Sequence, residues 1–296
     1  MSRALPPSQT ELEELVLASF SQEVNALKPG NVSRYSDGHE MTVKDFMSSA
    51  ELVSPLLCNR TLSLGERVLL SVEKTIAAVN CNTNLGMILL FAPIVMAAEQ
   101  ASGGDNTSGR EKLEIVLKNS TLNDAQMIFQ AIRKANPGGL GHSDQFDVHL
   151  DPQCSLLAAM EAARERDNIA KQYVTSFSDI FTLGVDSLRG FTERWNGVEW
   201  AIVACYLNFL STQTDSHIGR KFGNKLAEQV KTRAKKVFDL FKNNKNPEDA
   251  FPILLEFDRE LKSENINPGT SADLTAASIL VFMLGEKFAG GQLNVV

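Results

Sequence analysis

Apolar residues recur at helical spacing along nearly the whole chain. Leu12, Leu15, Val16, Val24 and Leu27 mark a first helix, which Thr10 with Glu13 opens as a capping box and Lys28-Pro29-Gly30 ends. Thr42 and Asp45 start a second helix carrying Val43, Phe46, Met47, Ala50 and Val53. Ser63 and Glu66 open a third through Val68, Val72, Ile76 and Val79, which closes at the polar cluster 80–84. A buried helix follows over 85–98. Residues 102–110 read as a flexible turn, with short helices over 111–118 and 122–134 and an irregular stretch at 135–150. Asp151-Pro152 predicts an N-cap with proline at the first helical position and a helix to about Tyr173. Further helices are expected near 175–192, 197–212, from Ile218 through Phe241, near 248–262, and from Ser271 onward. Few stretches alternate with period two, no hairpin signal joins them, and no fixed repeat is visible. The pattern predicts an all-α chain, with residues 1–296 forming a single domain behind a tail at 1–9.

Composition narrows the class. Apolar residues make up 43% and charged residues 22%, as in a soluble globular protein. The net charge of -7 argues against a nucleic-acid partner. The apolar run 85–98 is too short to span a bilayer and contains Pro93, so no membrane partner is expected. The N-terminus has no apolar signal segment. Cys58, Cys81, Cys154 and Cys205 lack CxxC spacing and lie in or beside apolar patterns, which reads as buried thiols in a reducing cytoplasm. A homo-oligomer is compatible with this pattern.

Candidate chemistry concentrates in five polar loops at helix ends: 28–41, 80–84, 136–144, 215–221 and 267–273. The first packs Lys28, Arg34, Asp37, His39, Glu40 and Asp45 into one bend and the helix after it, a density of charge suited to a polyphosphate with a metal ion. Helix N-termini offer free N–H donors to phosphate. Asp45, Asp144, Asp215 and Asp273 are the carboxylates available to Mg²⁺, although each also suits an ordinary cap or turn. His39 and His217 lie in the richest loops. On the helix from Ile218, the basic residues beyond Lys221 read as a solvated face. The chain has no GxxxxGK[ST], HExxH or GxSxG motif. Gly103-Gly104 and Gly138-Gly139 lie outside any βαβ unit and are not dinucleotide fingerprints.

Together the loops resemble those of triphosphoribosyl-dephospho-CoA synthases. The matching pieces are Glu23-Val24 with KPGNV at 28–32, DGHEM at 37–41 with Phe46 and Ser49-Ala50, and NTN at 82–84 with Gly86. To these are added NPGG at 136–139, Asp215 with its basic neighbours, and NPGTSADLTA at 267–276. One departure stands out. Where the family reads NTHKG, this chain has Asn82-Thr83-Asn84-Leu85-Gly86, which marks a divergent branch.

The resemblance implies an ATP-binding transferase. Ribose C1 of ATP loses adenine and gains the ribose 2′-hydroxyl of 3′-dephospho-CoA, while the triphosphate stays on the transferred sugar. A β linkage becomes α, so a single inverting displacement is implied, with demands like those of inverting glycoside chemistry. The resemblance implies phosphate clamping by Lys28 and Arg34, with Arg220 and Lys221 as further cations. It places Mg²⁺ on Asp45 and Asp215, the latter also catalytic, and makes His39 and Glu40 the proton-transfer pair. It assigns Asn82, Thr83 and Asn84 to sugar or base, and Gly138, Gly139, Gly269, Ser271 and Asp273 to the rest of the substrate pocket. Three alternatives stay open: the same donor with the ribityl chain of a methanopterin-type cofactor as acceptor, a non-catalytic nucleotide-binding protein, and an N-glycosidase using water.

Overall fold

Short polar side chains set where many helices begin. Ser8 with Glu11, Thr42 with Asp45, Ser63 with Glu66, Ser108 with Glu111 and Thr121 with Asp124 each close a capping box, satisfying two backbone N–H groups that the helix leaves free. The computed structural model describes residues 6–100 and 107–288. Among them the helices run α1 (Gln9–Asn25), α2 (Val43–Leu57), α3 (Leu64–Val79), α4 (Leu85–Glu99), α5 (Gly109–Lys118), α6 (Leu122–Ala135) and α7 (Leu156–Ala163). They continue with α8 (Asn168–Val174), α9 (Val185–Trp195), α10 (Val198–Thr212), α11 (Ser216–Phe222), α12 (Asn224–Asn243), α13 (Phe251–Ser263) and α14 (Gly269–Phe288). A π-helical turn, Ile180–Gly184, leads into α9, and a 3-10 turn, Pro247–Ala250, leads into α13. The described residues form no β-strand, only isolated bridges from Ser33 to Ser36 and from Gly38 to Met41. The all-α class read from the sequence is the one observed.

Several boundaries differ, each for a local reason. The first cap is Ser8, not Thr10, and the expected tail at 1–9 ends sooner, because Arg60 donates to the Pro7 carbonyl and holds the chain against α2. Residues 1–5 and 101–106, the latter including Gly103-Gly104, lie outside the described residues. Asp151-Pro152 does not start a helix: the Asp151 carboxylate pairs with Arg133, and the hydroxyl of Ser155 caps α7 instead. Asp167 then caps a separate α8. The helix expected over 175–192 is interrupted by Ser176 and Phe177 at positive φ (49° and 59°) and by the π-helical turn. The helix expected from Ile218 breaks at Gly223, whose φ of 88° only glycine adopts readily.

One apolar core runs from Leu12 in α1 to Leu284 in α14. At its centre α4 is apolar on every face, and α14 packs on α1, α4, α9 and α10. Each fully buried Leu, Ile or Phe contributes about 1.5–3 kcal/mol. Burial of this kind, rather than intrinsic propensity, holds short helices such as α8 and α11. Cys58 and Cys205 are buried in the core, their thiols pushed up to about 12 by burial, whereas Cys81 and Cys154 are only partly covered. Among the described residues no helix is long and apolar enough to cross a membrane.

Pro93 sits inside α4 and has no N–H to give the Leu89 carbonyl one turn earlier. The buried Tyr173 hydroxyl of α8 donates to that carbonyl at 2.6 Å and repairs the gap. Tyr173→Phe should therefore destabilise the fold by about 1–3 kcal/mol, the cost of a buried polar group left unpaired. Denaturant unfolding measures this, and a change within experimental error would refute the repair.

Candidate active site

The turn after α1 is built from inside. Lys28 is fully buried, donates to the carbonyls of Glu23 and Val32 at 2.8 Å each, and pairs with the Glu23 carboxylate at 3.2 Å. Burial lowers the pKa of the Lys28 ammonium and raises that of the Glu23 carboxyl, while each charge supports the other. Removing one partner of such a pair costs about 3–5 kcal/mol. The backbone of the turn is fastened from three sides: Gly30 N donates to Asp258 at 2.8 Å, Tyr206 OH to the Pro29 carbonyl at 2.6 Å, and Asn31 Nδ2 to Asn267 at 2.8 Å. These bonds deliver Asn31 to the wall of a cavity.

A second anchor is Asp215, which is 1% exposed. One carboxylate oxygen accepts the N–H groups of His217 and Ile218, capping α11. The other accepts the N–H and hydroxyl of Ser271, in the first turn of α14, at 2.8 Å each. Two helix N-termini are thus tied to one residue. The His217 ring rests directly on Gly269, where a Cβ would stand 2.4 Å from Nδ1.

All five polar loops contribute to one cavity of about 600 Å³. Its wall includes the first residues of α4 (Gly86), α8 (Ile169, Ala170), α11 (His217) and α14 (Gly269, Thr270), with Asn82, Thr83 and Asp273. Asp167 caps α8 and Asp215 ties α11 to α14, while Leu85 N at the start of α4 donates to Asn82. Arg166 and Arg220 are the cationic side chains of the wall, and Arg220 pairs with Asp167. Met87, Leu89, Phe129, Ile132 and Met160 give the wall apolar surface. Residues 136–143 and 146–148 also line the cavity. Gly139, at φ 75°, presses against the Arg220 carbonyl, and His142, Phe146 and Asp147 face the cavity. Backbone N–H bonds from His149 and Ser143 pull the Asp147 carboxyl down to about 2.

Two groups in the wall titrate in opposite senses. Asp273 stands one helical turn beyond Gly269, and no hydrogen bond or ion pair reaches its carboxyl among the described residues. Its carboxyl lies against the backbone of Gly86, where a Cβ would come within 2.0 Å of Oδ2. Burial, then the charges of Glu23 and Asp215, raise its pKa well above the usual carboxylate value. Burial lowers the pKa of His217, with Arg220, Lys221 and His39 adding to the effect and Asp215 opposing it. In one cavity wall, burial thus favours the protonated form of Asp273 and the neutral form of His217, opposed tendencies of the kind that separate acid from base.

Of the candidate site residues read from the sequence, Asn82, Thr83, Gly138, Gly139, His217, Arg220, Gly269 and Asp273 line the cavity, as do Phe46 and Gly86 of the matched motifs. The others do not, and their contacts say why. Lys28 is a buried strut rather than a phosphate clamp. Arg34 points outward to Glu199 and Tyr35, with 45% of its side chain exposed. Lys221 is exposed over the Phe222 ring. Asp45 closes the α2 capping box through Oδ2 and is not part of the cavity wall, and Asp215 spends four acceptor positions on caps. Asp215 is equally committed against catalysis, and Ser271 is its partner. Asn84 turns inward to Thr75. His39 and Glu40 form a tight turn at positive φ (56° and 62°), with His39 Nε2 donating to the Gly30 carbonyl at 2.9 Å and Glu40 exposed. Sequence reasoning passed over Arg166, Asp167 and Asp147. Asp167 was legible as a cap before α8, but nothing local marked it as facing a cavity.

A family model described as ATP:dephospho-CoA triphosphoribosyl transferase matches residues 9–291. Among solved structures, one from Archaeoglobus fulgidus assigned as a triphosphoribosyl-dephospho-CoA synthase is similar to this chain. It has 24% identity and a TM-score of 0.62, with 82% of this chain and 99% of that chain covered. A search of curated proteins finds no match.

The contact of Gly86 with Asp273 can be tested without a substrate. Gly86→Ala should cost about 1–3 kcal/mol of stability by overpacking. Most of that loss should return in the double variant Gly86→Ala/Asp273→Ala, where the carboxyl is gone. Additive losses in denaturant unfolding would show that the two residues do not touch.

Proposed function

Since the chain belongs to the ATP:dephospho-CoA triphosphoribosyl transferase family, we propose that it moves the triphosphoribosyl group of ATP to the 2′-hydroxyl of 3′-dephospho-CoA and releases adenine. The observation that carries this reading is the opposed titration of Asp273 and His217 in one cavity ringed by helix N-termini. The triphosphate sits among these N-termini with Arg166 and Arg220. Its binding energy holds the ribose in place for attack. Mg²⁺ enters with ATP on phosphate oxygens, since the side chains expected to hold it are used as caps.

In this mechanism Asp273, kept protonated, donates its proton to the adenine as the C1–N9 bond breaks. His217, kept neutral, takes the proton of the acceptor hydroxyl as the new C1–O bond forms on the opposite face of the sugar. The products are adenine and the α-linked triphosphoribosyl ether, and the proton gained by His217 returns through solvent to Asp273. General acid and base catalysis of this kind contributes about 10²–10⁴-fold each.

A second acceptor is favoured by one observation. Leu85 lines the cavity where the family pattern has lysine, and Asn84, in the histidine position, is turned inward. The acceptor side is therefore less cationic than the family pattern implies, which suits an uncharged polyol chain such as the ribityl group of a methanopterin-type cofactor.

Incubation with ATP and either acceptor, followed by mass detection of adenine and the adduct, tests the reaction. Adenine should appear only with an acceptor present. Release with dephospho-CoA supports the first reading, release only with the pterin supports the second, and release with water alone overturns both. The turnover rate should fall as pH drops through the lowered pKa of His217, which must be neutral. It should also fall as pH rises through the raised pKa of Asp273, which must keep its proton. Asp273→Asn should lower kcat by about 10²–10⁴-fold and abolish the alkaline limb, and His217→Gln should abolish the acid limb. Variants with the parent's rate and profile would remove these residues from the chemistry.

A further inference from the structure

The 136–150 segment, much of which lines the cavity, carries a donor set that the transfer reaction leaves unused. We propose that His142, Asp147 and His149 bind one divalent transition-metal ion of the zinc class, which pins the 136–150 segment across the cavity. One ligand atom from each of the three residues lies within 4.8 Å of the other two. His142 Nδ1 is 3.1 Å from Asp147 Oδ2, and the two imidazole rings stand 4.9 Å apart. His149 Nε2 is 3.2 Å from the Gly141 carbonyl, which supplies a fourth donor atom of suitable chemistry.

Ligand atoms around a tetrahedral zinc ion are about 3.3 Å apart, as bond lengths near 2.0–2.2 Å require. The two imidazoles are exposed and so have room to turn toward that spacing. Asp147 is already oriented: His149 N donates to its Oδ1 at 2.9 Å and Ser143 N to its Oδ2 at 3.1 Å, the supporting contacts a metal carboxylate needs. Two imidazoles with one carboxylate select zinc, cobalt, nickel or copper over magnesium and calcium, which prefer all-oxygen shells. The site is therefore distinct from any Mg²⁺ that travels with a nucleotide.

The consequence is mechanical. The 136–150 segment has neither helix nor strand. Its fastenings include Arg133, which donates to the carbonyls of Val148 and Leu150, and Gly139, which packs on α11. An ion bridging residues 142 and 149 would close the loop on itself while His142 and Asp147 line the cavity wall. The proposal does not depend on which group the enzyme transfers.

The test uses the full chain, stripped by a chelator and titrated with Zn²⁺ by calorimetry and with Co²⁺ by absorption. One equivalent should bind, with the intense bands of a four-coordinate cobalt site and no thiolate charge-transfer band. Zn²⁺ should also slow proteolysis within 136–150. His142→Ala and His149→Ala should each weaken binding by more than about 100-fold, beyond what the loss of a supporting contact costs. Melting of the metal-free protein should not change, since both side chains are exposed. Equal zinc affinity in the parent and both variants, cobalt spectra that report cysteine, or no binding at all would each overturn the proposal.

Discussion

One carboxylate holds the site together. Asp215 accepts four hydrogen bonds, two from the start of α11 and two from Ser271 in the first turn of α14. A buried charge is costly alone, but here the donors are helix N-termini, whose free N–H groups and dipoles stabilise an anion. The exchange is mutual: the helices lose orphan donors and the carboxylate loses its desolvation penalty. With α11 fixed against α14, the His217 ring packs on Gly269 and Asp273 stands one turn further along. The small size of Gly86 lets the start of α4 close on the Asp273 carboxyl. The Lys28 turn does similar work on the other side, where Asp258, Tyr206 and Asn267 hold its backbone and present Asn31.

This frame explains how an acidic protein accommodates an anionic substrate. The net charge is -7, and among the described residues Arg166 and Arg220 are the Lys or Arg side chains of the cavity wall. The starts of α4, α8, α11 and α14 face the same cavity, with Asp167 and Asp215 capping α8, α11 and α14 there. The same burial then separates the two proton-handling groups. Glu23 and Asp215 add negative field at Asp273 and keep its proton on, whereas burial keeps the proton off His217.

The helical class was plain in the sequence because apolar spacing and short capping motifs act locally. Thr42-Asp45 and Ser63-Glu66 were read correctly for that reason. The first cap was misplaced by two residues because Ser8 and Thr10 each precede a glutamate by three positions, and only tertiary contact of Pro7 with Arg60 separates them. The five loops that meet at the cavity were also visible, as polar interruptions between apolar runs. What could not be read was direction. Lys28 and Arg34 look alike as loop cations, yet one is sealed under the turn and the other faces Glu199 outside. Asp45, Asp215 and Asp273 all begin helices, and only the fold shows that the first two are consumed as caps while the third is left unpaired. Arg166 sits in a charged run, RERD, with no local mark to set it apart from Arg164 and Glu165.

The most direct measurement is a crystal structure of the chain with ATP and no acceptor. The account predicts the triphosphate among the N-termini of α4, α8, α11 and α14, the adenine within hydrogen-bonding distance of Asp273, and ribose C1 open toward His217. A nucleotide bound elsewhere, or bound in the cavity with its base turned away from Asp273, would contradict it.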